Sequence, residues 1–213
     1  VFAPEGLTGS VFVAGAIRGR SGGPAFTAEI EIPQLGYGRL LAKSLKADLE
    51  GDLGKVTIRD LAAIVAGGAV RGSGTFILSP SRRADALALP SPSTRAMLPE
   101  RFILELDDIQ LAEFAALLPE PWMKSTEGLF NGRAEVTTGP EGFSAAFSVE
   151  GTSLATSSLR LPLLKFSGSY ATSRLELNDL TVETENGALS GRGGFDLKNR
   201  TVSANLNTDG FGL

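Results

Sequence analysis

The sequence predicts an all-β protein: a curled antiparallel sheet, apolar on its concave face, with one short helix between two copies of a repeated unit. Three observations carry that expectation. A block of residues recurs along the chain, many short segments alternate apolar and polar side chains, and glycine-rich turns separate them.

The repeat pairs residues 58–78 with residues 177–197, without a gap, at an offset of 119. Eight of 21 positions are identical: Asp60/Asp179, Leu61/Leu180, Gly68/Gly187, Ala69/Ala188, Gly72/Gly191, Gly74/Gly193, Phe76/Phe195 and Leu78/Leu197. Upstream, Glu5-Gly6-Leu7 matches Glu127-Gly128-Leu129 at an offset of 122, so a loop changes length in between. The two units divide as 1–106 and 107–213.

Each repeated block reads as a hairpin. Asn186-Gly187 suits a type I′ turn, which needs positive φ at both central residues, and Gly67-Gly68 takes that place in the first repeat. Pairing outward from these turns sets Val182 against Gly191 and Leu180 against Gly193. Leu177 and Leu175 are out of phase with them, and a β-bulge at Asn178-Asp179, opposite Gly194, restores the alternation. Leu177 then faces Phe195, and Leu175 faces Leu197. In the first repeat, a bulge at Arg59-Asp60 gives Val65 with Val70, Leu61 with Gly74, Ile58 with Phe76 and Val56 with Leu78. The reverse face is mostly polar, with Glu176 set against Asp196. Ile64 and Ile77 interrupt it, as if that part were covered.

Further alternating segments flank the hairpins: Phe26 to Ile32, Ala47-Leu49, Phe102 to Leu106, Phe143 to Val149, Phe166 to Tyr170 and Val202 to Leu206. Each unit has room for about five strands, so some ten strands at ~4.8 Å would span roughly 45 Å. Leu111, Phe114, Ala115 and Leu118 have helical spacing. Asp107 can cap a helix over 108–118 that Pro119 and Pro121 end. Residues 79–100, with Pro80, Pro90, Pro92 and Pro99, read as a long loop. Arg82-Arg83 within it could touch an anionic surface, although solvated loop charge is the simpler reading.

Composition closes off most chemistry. The net charge of −4 argues against a nucleic-acid footprint. The chain holds no cysteine and no histidine, which removes thiolate and imidazole nucleophiles, Ser–His–Asp triads and ordinary zinc sites. Gly72-Ser73-Gly74 lies in a strand pattern, not a strand–helix turn, so sheet geometry explains it better than anion binding. Asp107-Asp108 reads as capping, and Asp60 and Asp179 as bulge residues. Asn199-Arg200-Thr201 matches a glycosylation sequon that arises easily by chance. The expectation is a non-enzymatic protein without a cofactor. No run of about 18 apolar residues is present to span a bilayer as a helix. The chain opens at Val1, without Met, and reads as an interior segment whose targeting and anchoring regions lie elsewhere.

The distinctive feature is the apolar face. Its candidate lining is Val56, Ile58, Leu61, Val65, Val70, Phe76 and Leu78 in the first repeat, and Leu175, Leu177, Leu180, Val182, Leu189, Phe195 and Leu197 in the second. Two such sheets could pack into a β-sandwich core. Glycines on the apolar face and matched bulges favour a curled trough instead, and a lipid acyl chain suits it at ~0.8 kcal/mol per buried CH₂.

The pattern of Asp-Leu, then Gly-Ala, then Gly-x-Gly-x-Phe-x-Leu in 58–78 and 177–197 resembles the TamB/AsmA-like family of Gram-negative bacteria. Ala115-Ala116-Leu117-Leu118-Pro119, followed by the Glu-Gly-Leu strand start, resembles it too. The resemblance implies a half-pipe, or β-taco, with an apolar lumen. It implies a periplasmic segment of an inner-membrane-anchored protein that carries phospholipid acyl chains toward the outer membrane, with a barrel protein of the outer-membrane assembly machinery as a further candidate partner. A chaperone-like platform that holds outer-membrane protein strands by β-augmentation is the alternative.

Overall fold

The computed structural model describes residues 7–19, 23–37, 40–80, 95–114, 126–139, 142–155 and 160–210. The described residues form one antiparallel sheet that curls without closing. Its strands are β1 (Leu7–Gly9), β2 (Phe12–Arg18), β3 (Ala25–Tyr37), β4 (Leu40–Gly51), β5 (Lys55–Val65), β6 (Gly68–Pro80), β7 (Arg95–Gln110), β8 (Glu127–Gly139), β9 (Gly142–Ala155), β10 (Arg160–Ala171), β11 (Arg174–Thr184), β12 (Gly187–Asp196) and β13 (Thr201–Asp209). Each strand from β3 onward pairs with the next, while β1 and β2 lie end to end along β3. The thirteen strands therefore make twelve rungs, and eleven spacings of ~4.8 Å give a length of roughly 53 Å.

The repeat appears as structure. Strands β5 and β6 pair as β11 and β12 do, with the same register and the same bulge. Each unit has six rungs, with β1 and β2 counting as one and corresponding to β8. The two units share one unbroken sheet, and residues 106 and 107 are consecutive within β7.

The pairing differs from the sequence expectation by two residues. Val65 pairs with Gly68 and Thr184 with Gly187, so the turns are Ala66-Gly67 and Glu185-Asn186. In the first repeat Ala66 and Gly67 take φ of 49° and 73°. In the second, the Thr184 hydroxyl donates to the Gly187 carbonyl at 3.0 Å and lies 3.3 Å from the Asn186 N–H. The glycine common to both repeats is thus the first strand residue, not part of the turn. A Cβ on Gly68 would lie 2.5 Å from the Asp108 carbonyl carbon, and one on Gly187 would overlap the backbone of Asp209 and Gly210. Close approach of the next strand, not turn geometry, demands that glycine.

The bulges fall at Arg59-Asp60 and Asn178-Asp179 as expected, but Ser73 and Arg192, not Gly194, lie across from them. The expected Glu176–Asp196 confrontation is absent. Arg174 stands opposite Asp196 and forms an ion pair with Glu176 at 2.9 Å. Cysteines at Leu175 and Phe195, now direct partners, should form a disulfide readily. Cysteines at Leu177 and Phe195 should not, and the reverse result under mild oxidation would restore the register read from the sequence.

Two elements also differ in extent. Strand β7 runs through Asp107 to Gln110, so Asp107 pairs with Ala69 instead of capping a helix. The helix α1 starts at Leu111 and is described as far as Phe114. Its expected continuation to 118 lies outside the described residues. The expected loop at 79–100 is shorter at both ends, because β6 reaches Pro80 and β7 begins at Arg95. Proline fits there because Pro99, the partner of Phe76, adjoins a bulge at which Glu100 is left without a partner in the register. Residues 81–94, with Arg82-Arg83, lie outside the description. Bulges recur elsewhere, and at one of them Asp108 (φ 53°) donates its N–H to the Asn131 Oδ1 at 2.8 Å.

Candidate functional site: the apolar face

A two-residue shift in pairing leaves every side chain on its face, since strand side chains alternate with period two. The expected lining therefore stays together despite the corrected register. Val56, Ile58, Leu61 and Val65 of β5 pair with Phe76, Gly74, Gly72 and Gly68 of β6, and Val70 and Leu78 lie on the same side. In the second repeat Leu175, Leu177, Leu180 and Val182 pair with Phe195, Gly193, Gly191 and Leu189. Leu197 falls outside β12, in the turn before β13, and is exposed.

Following the register outward extends the face across every rung. From Val70, Gly72 and Gly74 it passes to Leu106, Leu104 and Phe102, then to Gly132, Ala134 and Val136 of β8. It continues through Val149, Phe147 and Ala145 to Phe166, Gly168 and Tyr170, which meet Leu180, Leu177 and Leu175. On the other side Leu49 and Ala47 lead to Ala28 and Ile30, and then to Gly15 and Val13. The alternation in these segments was visible in the sequence. Only the register joins them to the two hairpins as one surface.

This face is not a closed core. Among the described residues the buried apolar side chains are Ala47, Ala63, Ala66, Ile109 and Leu154, and no large side chain is fully buried. Substantial backbone contacts run between sheet neighbours, with α1 against β8 as the exception. Leu175 and Phe143 are 38% and 47% exposed, so part of the face meets solvent directly. Among the described residues all strands belong to one hydrogen-bonded sheet.

Aromatic side chains organise its floor. Phe76 and Phe102 pack with ring centroids 5.5 Å apart, Phe143 and Tyr170 at 5.9 Å, and Phe147 and Phe166 at 6.3 Å. Some glycines of the face lie beneath these rings. A Cβ on Gly72 would meet the Phe102 ring at 3.1 Å, and one on Gly168 would meet the Phe147 ring at 2.7 Å. At these positions the glycine lets the adjacent ring lie low across the sheet.

The opposite face is built for water. Lys46 pairs with Glu31 at 3.3 Å, Arg101 with Glu135 at 2.7 Å and Lys165 with Glu150 at 3.4 Å, while Arg59 meets Glu50 and Arg133 meets Glu105. The hydrogen bond from Arg101 holds the Glu135 carboxyl below its ordinary range. These are exposed pairs, worth little each, and their effect is to mark the solvated side. Ile64 and Ile77, expected to be covered, stay exposed on it.

No helix among the described residues is long and apolar enough to cross a membrane. No family model, no curated protein and no solved structure matches the chain.

Proposed function

We propose that this chain is a length of lipid conduit that carries phospholipid by its acyl chains along the apolar face, between inner and outer membrane. The observation that supports it is a continuous apolar surface over twelve rungs, with an ion-paired reverse face and no described element lying over the apolar side. A soluble monomer rarely exposes so large a contiguous apolar surface without an occupant. Laying ten methylenes against it would gain up to about 8 kcal/mol, enough to hold a chain out of water while leaving it free to slide. The resemblance in 58–78 and 177–197 supports the same reading, with a periplasmic location and an anchor outside this segment. The acyl chains would touch Leu61, Phe76, Leu177, Leu180 and their neighbours, and the headgroup would stay at the open rim.

Mass spectrometry of protein purified without detergent tests this. Phospholipid should be recovered with the protein, and a photoreactive group at Leu61 or Leu180 should label it. Absence of lipid, together with no binding of a fluorescent fatty acid, would sink the proposal. Binding of an outer-membrane strand peptide at a sheet edge without any lipid would favour the chaperone alternative.

A further inference from the structure

The strand tips form two long rims, one on each side of the apolar face. Even-numbered strands from β2 to β12 end on one rim, and odd-numbered strands from β3 to β13 end on the other. A phospholipid whose acyl chains lie on the face must leave its headgroup at one of them. The two rims differ in charge.

Within two positions of the strand tips and in the described turns, the first rim carries Arg18, Lys55, Arg174, Lys198 and Arg200, all exposed. Its carboxylates are engaged locally. Asp52 accepts the N–H groups of Gly54 and Lys55 at 2.7 and 3.0 Å, and Asp196 those of Lys198 and Asn199 at 2.9 and 2.8 Å. Glu50 meets Arg59. Lys55 pairs with Glu100 at 2.8 Å and Arg174 with Glu176 at 2.9 Å, while Arg18, Lys198 and Arg200 pair with no described residue. The second rim is the reverse. Glu113, Glu127, Glu183, Glu185 and Asp209 stand exposed there without a described partner, against the cation Arg160.

Hydroxyl groups on the apolar face divide the same way. Tyr170 lies near the first rim, half-buried with its ring against Phe143, and its hydroxyl bonds to no described residue. A tyrosine so placed keeps its ring on an apolar floor and its polar end toward a wet boundary. Thr138 lies beside Phe143 on the same rim, and its Oγ1 is buried without a hydrogen-bond partner. It lines a hollow of about 530 Å³ at the tips of β8, β9 and β10, and a rotation about χ1 turns the hydroxyl into that hollow. At the second rim the Thr184 hydroxyl is already spent on the Gly187 carbonyl.

We infer that phospholipid rides with its headgroup on the rim of Arg18, Lys198 and Arg200, its phosphate meeting these cations and its ester region the Tyr170 and Thr138 hydroxyls. The acidic rim repels the same headgroup. Lipids of net negative charge are therefore favoured over zwitterionic ones, and the preference weakens with salt. The inference rests on the conduit reading and adds a side and a headgroup class to it.

Two photoreactive phosphatidylglycerols test it on the whole chain, one with a diazirine on the headgroup and one with it near the end of an acyl chain. The headgroup reagent should label residues 172–174 and 197–200, and the acyl reagent the face around Leu180. Headgroup labelling at 183–186, or equally on both rims, would overturn this inference and leave the conduit reading standing. Failure of the acyl reagent to label the face would overturn both. The variant Arg18→Glu/Lys198→Glu/Arg200→Glu should lower retention of phosphatidylglycerol about ten-fold at low salt and that of phosphatidylethanolamine much less. The control Glu127→Gln/Glu183→Gln/Glu185→Gln should lower neither. Tyr170→Phe should reduce retention of both lipids several-fold with an unchanged melt. Equal retention of phosphatidylglycerol by the charge-reversed and unmodified chains would likewise overturn the inference.

Discussion

Leu180→Glu should leave a folded protein with a cooperative melt, while recovery of lipid with the purified chain falls at least about 100-fold. Leu180 lies mid-sheet between Phe166 and Gly191, half-buried, on the proposed lipid path. In a closed core an unpaired carboxylate there would unfold the domain. On an open face water reaches it, so the folding loss is limited to the leucine's partial burial, about 1–2 kcal/mol. An acyl chain crossing that point must then desolvate a charge, and binding suffers far more than folding. Leu61→Glu, at the matching place in the first repeat, should behave the same way. Thr181→Glu, on the polar face opposite Lys165, should change neither property. If Leu180→Glu gives only molten or insoluble protein while the unmodified chain carries no lipid, the conduit reading is lost.

Gly68→Val should destabilise the sheet by about 1–3 kcal/mol, more than Gly187→Val. Both substitutions push a side chain into the strand that follows: Asp107 and Asp108 of β7 in one case, Asp209 and Gly210 in the other. Strand β7 is held from its far side by β8, whereas among the described residues no strand lies on the far side of β13, which can yield. Denaturant melts of the two variants measure the difference. Equal and negligible effects would mean that the close approach behind the repeated glycine carries no energetic weight.

What the sequence determined by itself is the periodic part of this protein. Alternation in segments such as Phe26 to Ile32 and Phe143 to Val149 specifies strands and their faces locally, because a side chain's side depends only on its position along its own strand. The matched blocks at 58–78 and 177–197 likewise located the bulges, since Leu177 and Leu180 cannot share a face without one. The turns were misplaced by one residue because Asn186-Gly187 has strong local turn chemistry. Its glycine answers to Asp209 and Gly210, some twenty residues away, and no local pattern reports that contact. The helix start was misplaced for a similar reason: Asp107 has the side chain of a cap but is held in β7 by pairing with Ala69.

Tertiary structure alone decided that the apolar segments form one surface. Which strand lies beside which depends on pairings far apart in the chain, and a residue such as Phe102 joins the face only through Gly74 on one side and Val136 on the other. It also decided that nothing described covers that surface. Alternation is identical for a strand in a sandwich and a strand in an open trough. The difference lies in whether a second layer is present, and among the described residues all thirteen strands belong to one sheet.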